Sequence, residues 1–140
     1  MKILFVCTGN ICRSPMAAVI ARDLLAKRGR TDVEVMSAGT FALDGHTPTS
    51  DARVAAEEHG LSLDGHAAQQ LTRELVAGAD LVVGMEREHV DFAHQLGATN
   101  AITLGRPVRD PYGRGPAVYR DTWALLSSLV PAVLAEHVGP

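Results

Sequence analysis

The sequence predicts an α/β fold, a parallel sheet with helices on both faces, and three observations carry that reading. Short apolar runs rich in β-branched residues alternate with longer segments of helical periodicity along all 140 residues. Such alternation builds parallel sheets, because parallel neighbours need a crossover helix. The apolar runs are also continuous rather than alternating with polar residues, as strands covered on both faces must be. Finally, 46% apolar and 21% charged residues is the balance of an ordinary globule, and this length suits one domain spanning 1–140.

Each element follows in order. "KILFVC" (2–7) is a fully buried strand. From Ser14 to about Gly29 the chain reads as a helix, with Pro15 at its first position, Val19, Ile20, Leu24 and Leu25 as one stripe, and Gly29 at its end. "VEVMSA" (33–38) is a second strand, and "SDARVAAEEHG" (50–60) a helix capped by Ser50 or Asp51 and closed by glycine. "ADLVVGM" (79–85) is a third strand, "REHVDFAHQLG" (87–97) a helix, and "NAITLG" (100–105) a short fourth strand. The last helix, 116–138, carries Pro131 inside it, where a kink is expected. The charge run "MEREH" (85–89) reads as a solvated helix start.

Composition excludes several roles. A formal net charge of −3 argues against general nucleic-acid binding, which needs a clustered basic face. The apolar start before Thr8 is too short for a signal peptide, and no run approaches a membrane span. Only two cysteines, Cys7 and Cys12, occur, so a disulfide framework is absent and a cytoplasmic, reducing setting is expected. No metal-ligand spacing is seen, so neither a metal nor another cofactor is expected.

Both cysteines fall in "VCTGNICRSP" (6–15), between the first strand and the first helix. Ligands of open parallel sheets bind beyond the carboxyl ends of the strands, where strand order reverses, so this loop is the default site. Converging N–H groups from Thr8 to Cys12 and the helix N-terminus make a nest for a tetrahedral oxyanion such as phosphate. Gly9 permits a positive φ, and Asn10 tolerates one. Arg13 adds a planar fork able to grip two oxygens. The same field favours the thiolate of Cys7, a soft nucleophile at the floor of an anion cradle. Neither GxxxxGK[ST] nor GxGxxG is present, so this is not a nucleotide loop.

"FVCTGNICRSP" strongly resembles the phosphate loop of the low-molecular-weight protein tyrosine phosphatases. "SAGT" (37–40), "ADLVVGM" (79–85) and "DPYG" (110–113) follow in that family's order. The resemblance implies a four-stranded parallel sheet with flavodoxin-like winding, and hydrolysis of phosphotyrosine in a protein or peptide through a phosphocysteine on Cys7. It implies Asp110 as general acid and then base, with Pro111 holding it extended, and Tyr112 as a wall of the cleft. It further implies that Asn10, Ser14, Ser37 and His66 brace the loop, Ser14 also stabilising the Cys7 thiolate. The other five histidines receive no role.

Departures bear on substrate. After "SAGT" comes "FALDGHTP", where either Phe41 or Leu43 could face the cleft. "SAG.FA" and the single tyrosine of "DPYG" look more like the branch that includes protein arginine phosphatases, but that branch carries threonine where this loop has Ile11. An apolar Ile11 offers contact to a phenyl ring and nothing to a guanidinium, so phosphotyrosine is the expected substrate and phosphoarginine the alternative. Related arsenate reductases need cysteines downstream, and none follows Cys12. A silent phosphate-binding module would be expected to lose Cys7, Arg13 or Asp110; all are present.

Overall fold

The first apolar run becomes the middle of the sheet. In a computed structural model, which describes residues 1–139, β1 (Lys2–Cys7) lies between β2 (Glu34–Gly39) and β3 (Leu81–Gly84), with β4 (Ala101–Thr103) outside β3. Every pairing is parallel, in the order β2-β1-β3-β4; Ile3 faces Val35 on one side and Leu81 on the other. The winding therefore reverses beside β1, which puts the crevice for a ligand just past Cys7.

Period-two alternation divides β1 between two cores. Ile3, Phe5 and Cys7 pack with α1 (Arg13–Lys27), α2 (Ser50–Glu57) and α5 (Pro116–His137). Leu4 and Val6 pack on the opposite face, with α3 (Arg73–Gly78) and α4 (Arg87–Gln95). Burying a large aliphatic or aromatic side chain contributes about 1.5–3 kcal/mol, and Ile3, Leu4, Phe5 and Val6 are all buried. The strand carrying the loop is thus held on both edges and both faces.

Local signals account for the differences from the sequence reading. α1 begins at Arg13, so Pro15 is its third residue, still within the first turn, where no intrahelical acceptor awaits its missing N–H. α2 is capped by Thr49 rather than Ser50 or Asp51: the Thr49 hydroxyl accepts the Ala52 N–H at 3.3 Å. The unforeseen α3 has only six residues and is nucleated by Thr72, whose hydroxyl accepts from Leu75 N–H at 3.2 Å. α5 continues through Pro131, which removes one donor without ending the helix. Among the described residues no helix is long and apolar enough to cross a membrane.

Candidate active site

Between β1 and α1 the chain must turn sharply. Asn10 makes that turn at φ 60°, the one non-glycine residue with positive φ among those described, whereas Gly9 does not take a positive φ. The Asn10 side chain is fully buried, and its hydrogen bonds settle which end is which. Oδ1 accepts the Gln69 N–H at 3.0 Å, so Nδ2 donates to Ser14 Oγ at 2.8 Å and Ser37 Oγ at 3.0 Å. Ser14 Oγ lies 2.9 Å from Cys7 Sγ and 3.5 Å from the Ala38 carbonyl, so toward a Cys7 thiolate, which can only accept, the hydroxyl is the donor. With Cys7 as thiolate, the order of donation ends on the sulfur.

His66 holds the same turn from outside. Its Nε2 lies 2.7 Å from the Asn10 carbonyl oxygen, a pure acceptor, so Nε2 carries the proton. Burial lowers the His66 pKa, with the Asn10 contact opposing, and the ring is neutral at pH 7. β2 must approach this turn closely. A Cβ on Gly39 would stand 2.3 Å from the Thr8 carbonyl and 3.1 Å from Asn10, so only glycine fits there.

The flank toward β3 is charged. The buried Arg13 donates from Nη1 to Glu86 and to the Val108 carbonyl (2.9 Å), and from Nη2 to Thr8 Oγ1 (3.3 Å). A guanidinium has five N–H groups. The two that no atom of the described residues engages are therefore Nε–H and one on Nη2. His89, fully buried, completes this side: its Nδ1 accepts the Glu86 N–H at 3.0 Å, leaving Nε2–H to donate to Thr8 Oγ1 at 2.9 Å. Burial, reinforced by the Arg13 charge, pulls the His89 pKa down to about 4. With two donors pointing at it, Thr8 Oγ1 keeps its own proton for the cleft. Gly84 lets the start of α4 come this near, since a Cβ there would meet Val90 at 2.9 Å and His89 at 3.0 Å.

Above the loop lies a cleft of about 250 Å³. Cys7, Thr8, Gly9, Ile11, Cys12 and Arg13 form its floor, and Asp110, Tyr112, Phe41 and Leu43 its walls. Both candidates after "SAGT" thus line it. Phe41 and Tyr112 are 71% and 62% exposed, an unusual display of aromatic surface, and Phe41 rests edge-on against Phe92, centroids 5.8 Å apart. Asp110 Oδ1 accepts the Tyr112 N–H at 3.0 Å, a turn that pins the carboxylate at the rim.

The two thiols, both free, are differently placed. Cys12 Sγ contacts the Tyr119 hydroxyl at 3.1 Å and Thr49 Oγ1 at 3.7 Å. Burial pushes its pKa up, so it stays a thiol. Tyr119 is likewise shifted upward by burial. Among the described residues no buried side-chain nitrogen or oxygen lacks a hydrogen-bond partner.

The site therefore has two layers. Cys7, Arg13, Asp110, Tyr112 and the loop residues Thr8, Gly9, Ile11 and Cys12 meet in the cleft, while the side chains of Asn10, Ser14, Ser37 and His66 lie behind the loop. Sequence reasoning missed Glu86, His89 and Gln69. The run 85–89 is not a solvated start: Met85 and His89 are fully buried and Glu86 binds Arg13.

Known proteins are similar to this chain over most of its length. A family model described as low molecular weight phosphotyrosine protein phosphatase matches residues 2–138. The low molecular weight protein-tyrosine-phosphatase Wzb of Escherichia coli K12 is 44% identical over 133 residues, covering 89% of this chain and 87% of its own. The crystal structure of a low molecular weight protein tyrosine phosphatase from T. tengcongensis superposes with a TM-score of 0.91 at 36% identity, over 97% of this chain and 99% of that one. A Cys-to-Ser variant of the arginine phosphatase YwlE, with its active-site serine phosphorylated, gives a TM-score of 0.90 at 34% identity, over 98% and 97%. A family model that matches residues 2–138, with relatives at 34–44% identity covering most of both chains, means that the protein belongs to the low molecular weight phosphotyrosine protein phosphatase family.

Proposed function

We propose that the protein hydrolyses phosphotyrosine in protein substrates through a phosphocysteine on Cys7. The observation that carries this reading is the meeting, in one cleft, of Cys7 Sγ, Arg13 with two unengaged donors, and the Asp110 carboxyl between apolar walls. In the first step the thiolate attacks phosphorus. The S–P bond forms as the bond to the phenolic oxygen breaks, and Asp110 gives its proton to that oxygen. In the second, water attacks phosphorus, Asp110 takes a proton from the water, and the S–P bond breaks. Ser14, its hydroxyl 2.9 Å from the sulfur, donates to the thiolate as it is released. Arg13 and the loop N–H groups hold the equatorial oxygens through both steps. The phosphorylated serine of the YwlE variant supports a covalent phosphoenzyme. Free thiols fit the cytoplasmic setting read from the cysteine content.

A second reading, phosphoarginine as substrate, is favoured by the close superposition on an arginine phosphatase. Against it stands Ile11 at the floor of the cleft, which gives a guanidinium no acceptor, while Ile11, Phe41 and Tyr112 offer burial to a phenyl ring worth about 1–2 kcal/mol. The test is turnover of matched phosphotyrosine, phosphoserine and phosphoarginine peptides with EDTA present. Phosphotyrosine is expected to lead phosphoarginine by at least about tenfold in kcat/KM, a barrier difference near 1.4 kcal/mol, and Cys7→Ser to abolish turnover. Asp110→Ala is expected to slow phosphotyrosine cleavage by about 10²–10⁴-fold, and activated aryl phosphates far less. Faster hydrolysis of phosphoarginine would overturn the substrate assignment, and turnover by Cys7→Ser the mechanism.

A further inference from the structure

The segment that carries Asp110, "RPVRDPYGRG" (106–115), holds three arginines in a chain whose formal net charge is −3. Arg106, Arg109 and Arg114 are exposed. Arg13, Arg53, Arg87 and Arg120 each pair with a carboxylate. The side chains of Arg106, Arg109 and Arg114 make neither an ion pair nor a hydrogen bond to the protein among the described residues. All three instead line one depression of about 320 Å³, floored by Val118 and Leu125. Asp121 also borders it without pairing to any of them.

Position gives this cluster its meaning. Asp110 lines both the depression and the cleft, so the first begins where the second ends. A peptide whose phosphotyrosine reaches Cys7 would lie across it. Three guanidiniums without ion-pair partners, set against the two carboxylates of Asp110 and Asp121 on the same depression, leave it net positive, and an anion arriving there gains forked hydrogen bonds. The negative charge of the rest of the chain would otherwise disfavour an acidic partner, so a local positive patch at the mouth of the cleft decides which peptides approach.

We propose that Arg106, Arg109 and Arg114 form a substrate subsite that receives anionic groups flanking the phosphotyrosine, either acidic side chains or a second phosphate on the same peptide. The proposal rests on the phosphotyrosine reading above and adds to it a rule for sequence context.

The experiment compares phosphotyrosine peptides that differ only in their flanks: neutral, Asp/Glu, a second phosphotyrosine, or lysine. Rates are measured with wild type and with a triple Arg106→Gln, Arg109→Gln, Arg114→Gln variant. Affinities are measured by fluorescence anisotropy on Cys7→Ser, with and without the same three changes. An exposed pair contributes up to about fivefold, so anionic flanks are expected to raise kcat/KM and affinity about tenfold over neutral ones. The advantage should fall toward one in 1 M salt and vanish in the triple variant. The arm with the larger ratio identifies carboxylate or phosphate as the natural group. Should the triple variant be unstable, the single Arg114→Glu should move the preference toward lysine flanks. Equal handling of neutral and anionic peptides by the wild type, or a preference that survives the triple change, would overturn the subsite. Absence of turnover on every phosphotyrosine peptide would instead sink the activity, and the affinity ratio on Cys7→Ser would still decide the subsite.

Discussion

The two flanks of the phosphate loop hold it by opposite means. Toward β2 the supports are neutral: Asn10, Ser14, Ser37 and His66 form a chain of donors and acceptors ending on Cys7 Sγ, closed against Gly39. Toward β3 they are charged: Arg13 sits between Glu86, the Val108 carbonyl and Thr8, with His89 kept neutral alongside. The difference follows from what each side must do. A thiolate needs one aimed proton, which neutral hydroxyls and an amide supply. A guanidinium that must meet a dianion has to be fixed before the ligand arrives, and only a carboxylate holds a buried cation without it.

The largest effect is expected on the neutral side. Gly39→Ala places a methyl group 2.3 Å from the Thr8 carbonyl, so the loop must shift. Misplacement of about 1 Å costs on the order of 10²-fold, and kcat/KM should fall by about that much while circular dichroism stays that of a folded chain. A near-normal rate would show that the loop tolerates movement and would erase the contrast between aimed and clamped flanks.

On the charged side, Glu86→Ala strands the Arg13 guanidinium. Removing one partner of a buried pair costs about 3–5 kcal/mol. Glu86 is partly exposed, at 31% of its side chain, so a loss of about 2 kcal/mol is expected in urea unfolding, with Glu86→Gln losing about half. Equal stability of the alanine variant would mean that water replaces the carboxylate freely.

The smallest effect sharpens the comparison through pH. The His89 pKa, 6.5 for a free imidazole, falls to about 4 in the folded chain. The folded pKa is depressed, so its contribution is fully present above pH 6.5 and is lost as pH falls toward 4. One proton gives at most about 1.4 kcal/mol per pH unit. Wild-type stability in urea should decline across that window, and His89→Gln should show a shallower slope. Identical slopes would remove His89 from the account.

What was legible in the sequence follows the same division. The strands were plain because continuous apolar runs need no partner to be recognised, and the Cys7-to-Arg13 loop because its residues are neighbours in the chain. Glu86 and His89 were not, since their meaning comes from Arg13 and Thr8, 73 and 81 positions away; taken alone, "MEREH" has the composition of a surface. The same holds for Thr49, passed over as the α2 cap in favour of the next two residues, each an equally good cap by type. Phe41 and Leu43 could not be ranked because both line the cleft. The six residues of α3 are too few for periodicity to register.

The contact between Cys12 and Tyr119 spans 107 positions, and this bears on when the site comes into being. The nucleophile, on β1, is synthesised before every element that packs around its loop. The walls and clamps of its loop do not exist until β3, the Asp110 turn and the first turns of α5 have also been synthesised. Parallel pairings and distant contacts form late, because loop closure must precede them. A nascent chain therefore carries Cys7 before its supports, and the Cys12–Tyr119 contact closes only once α5 docks. Recovery of activity during refolding is therefore expected to lag formation of the sheet, and recovery in step with the sheet would contradict this order.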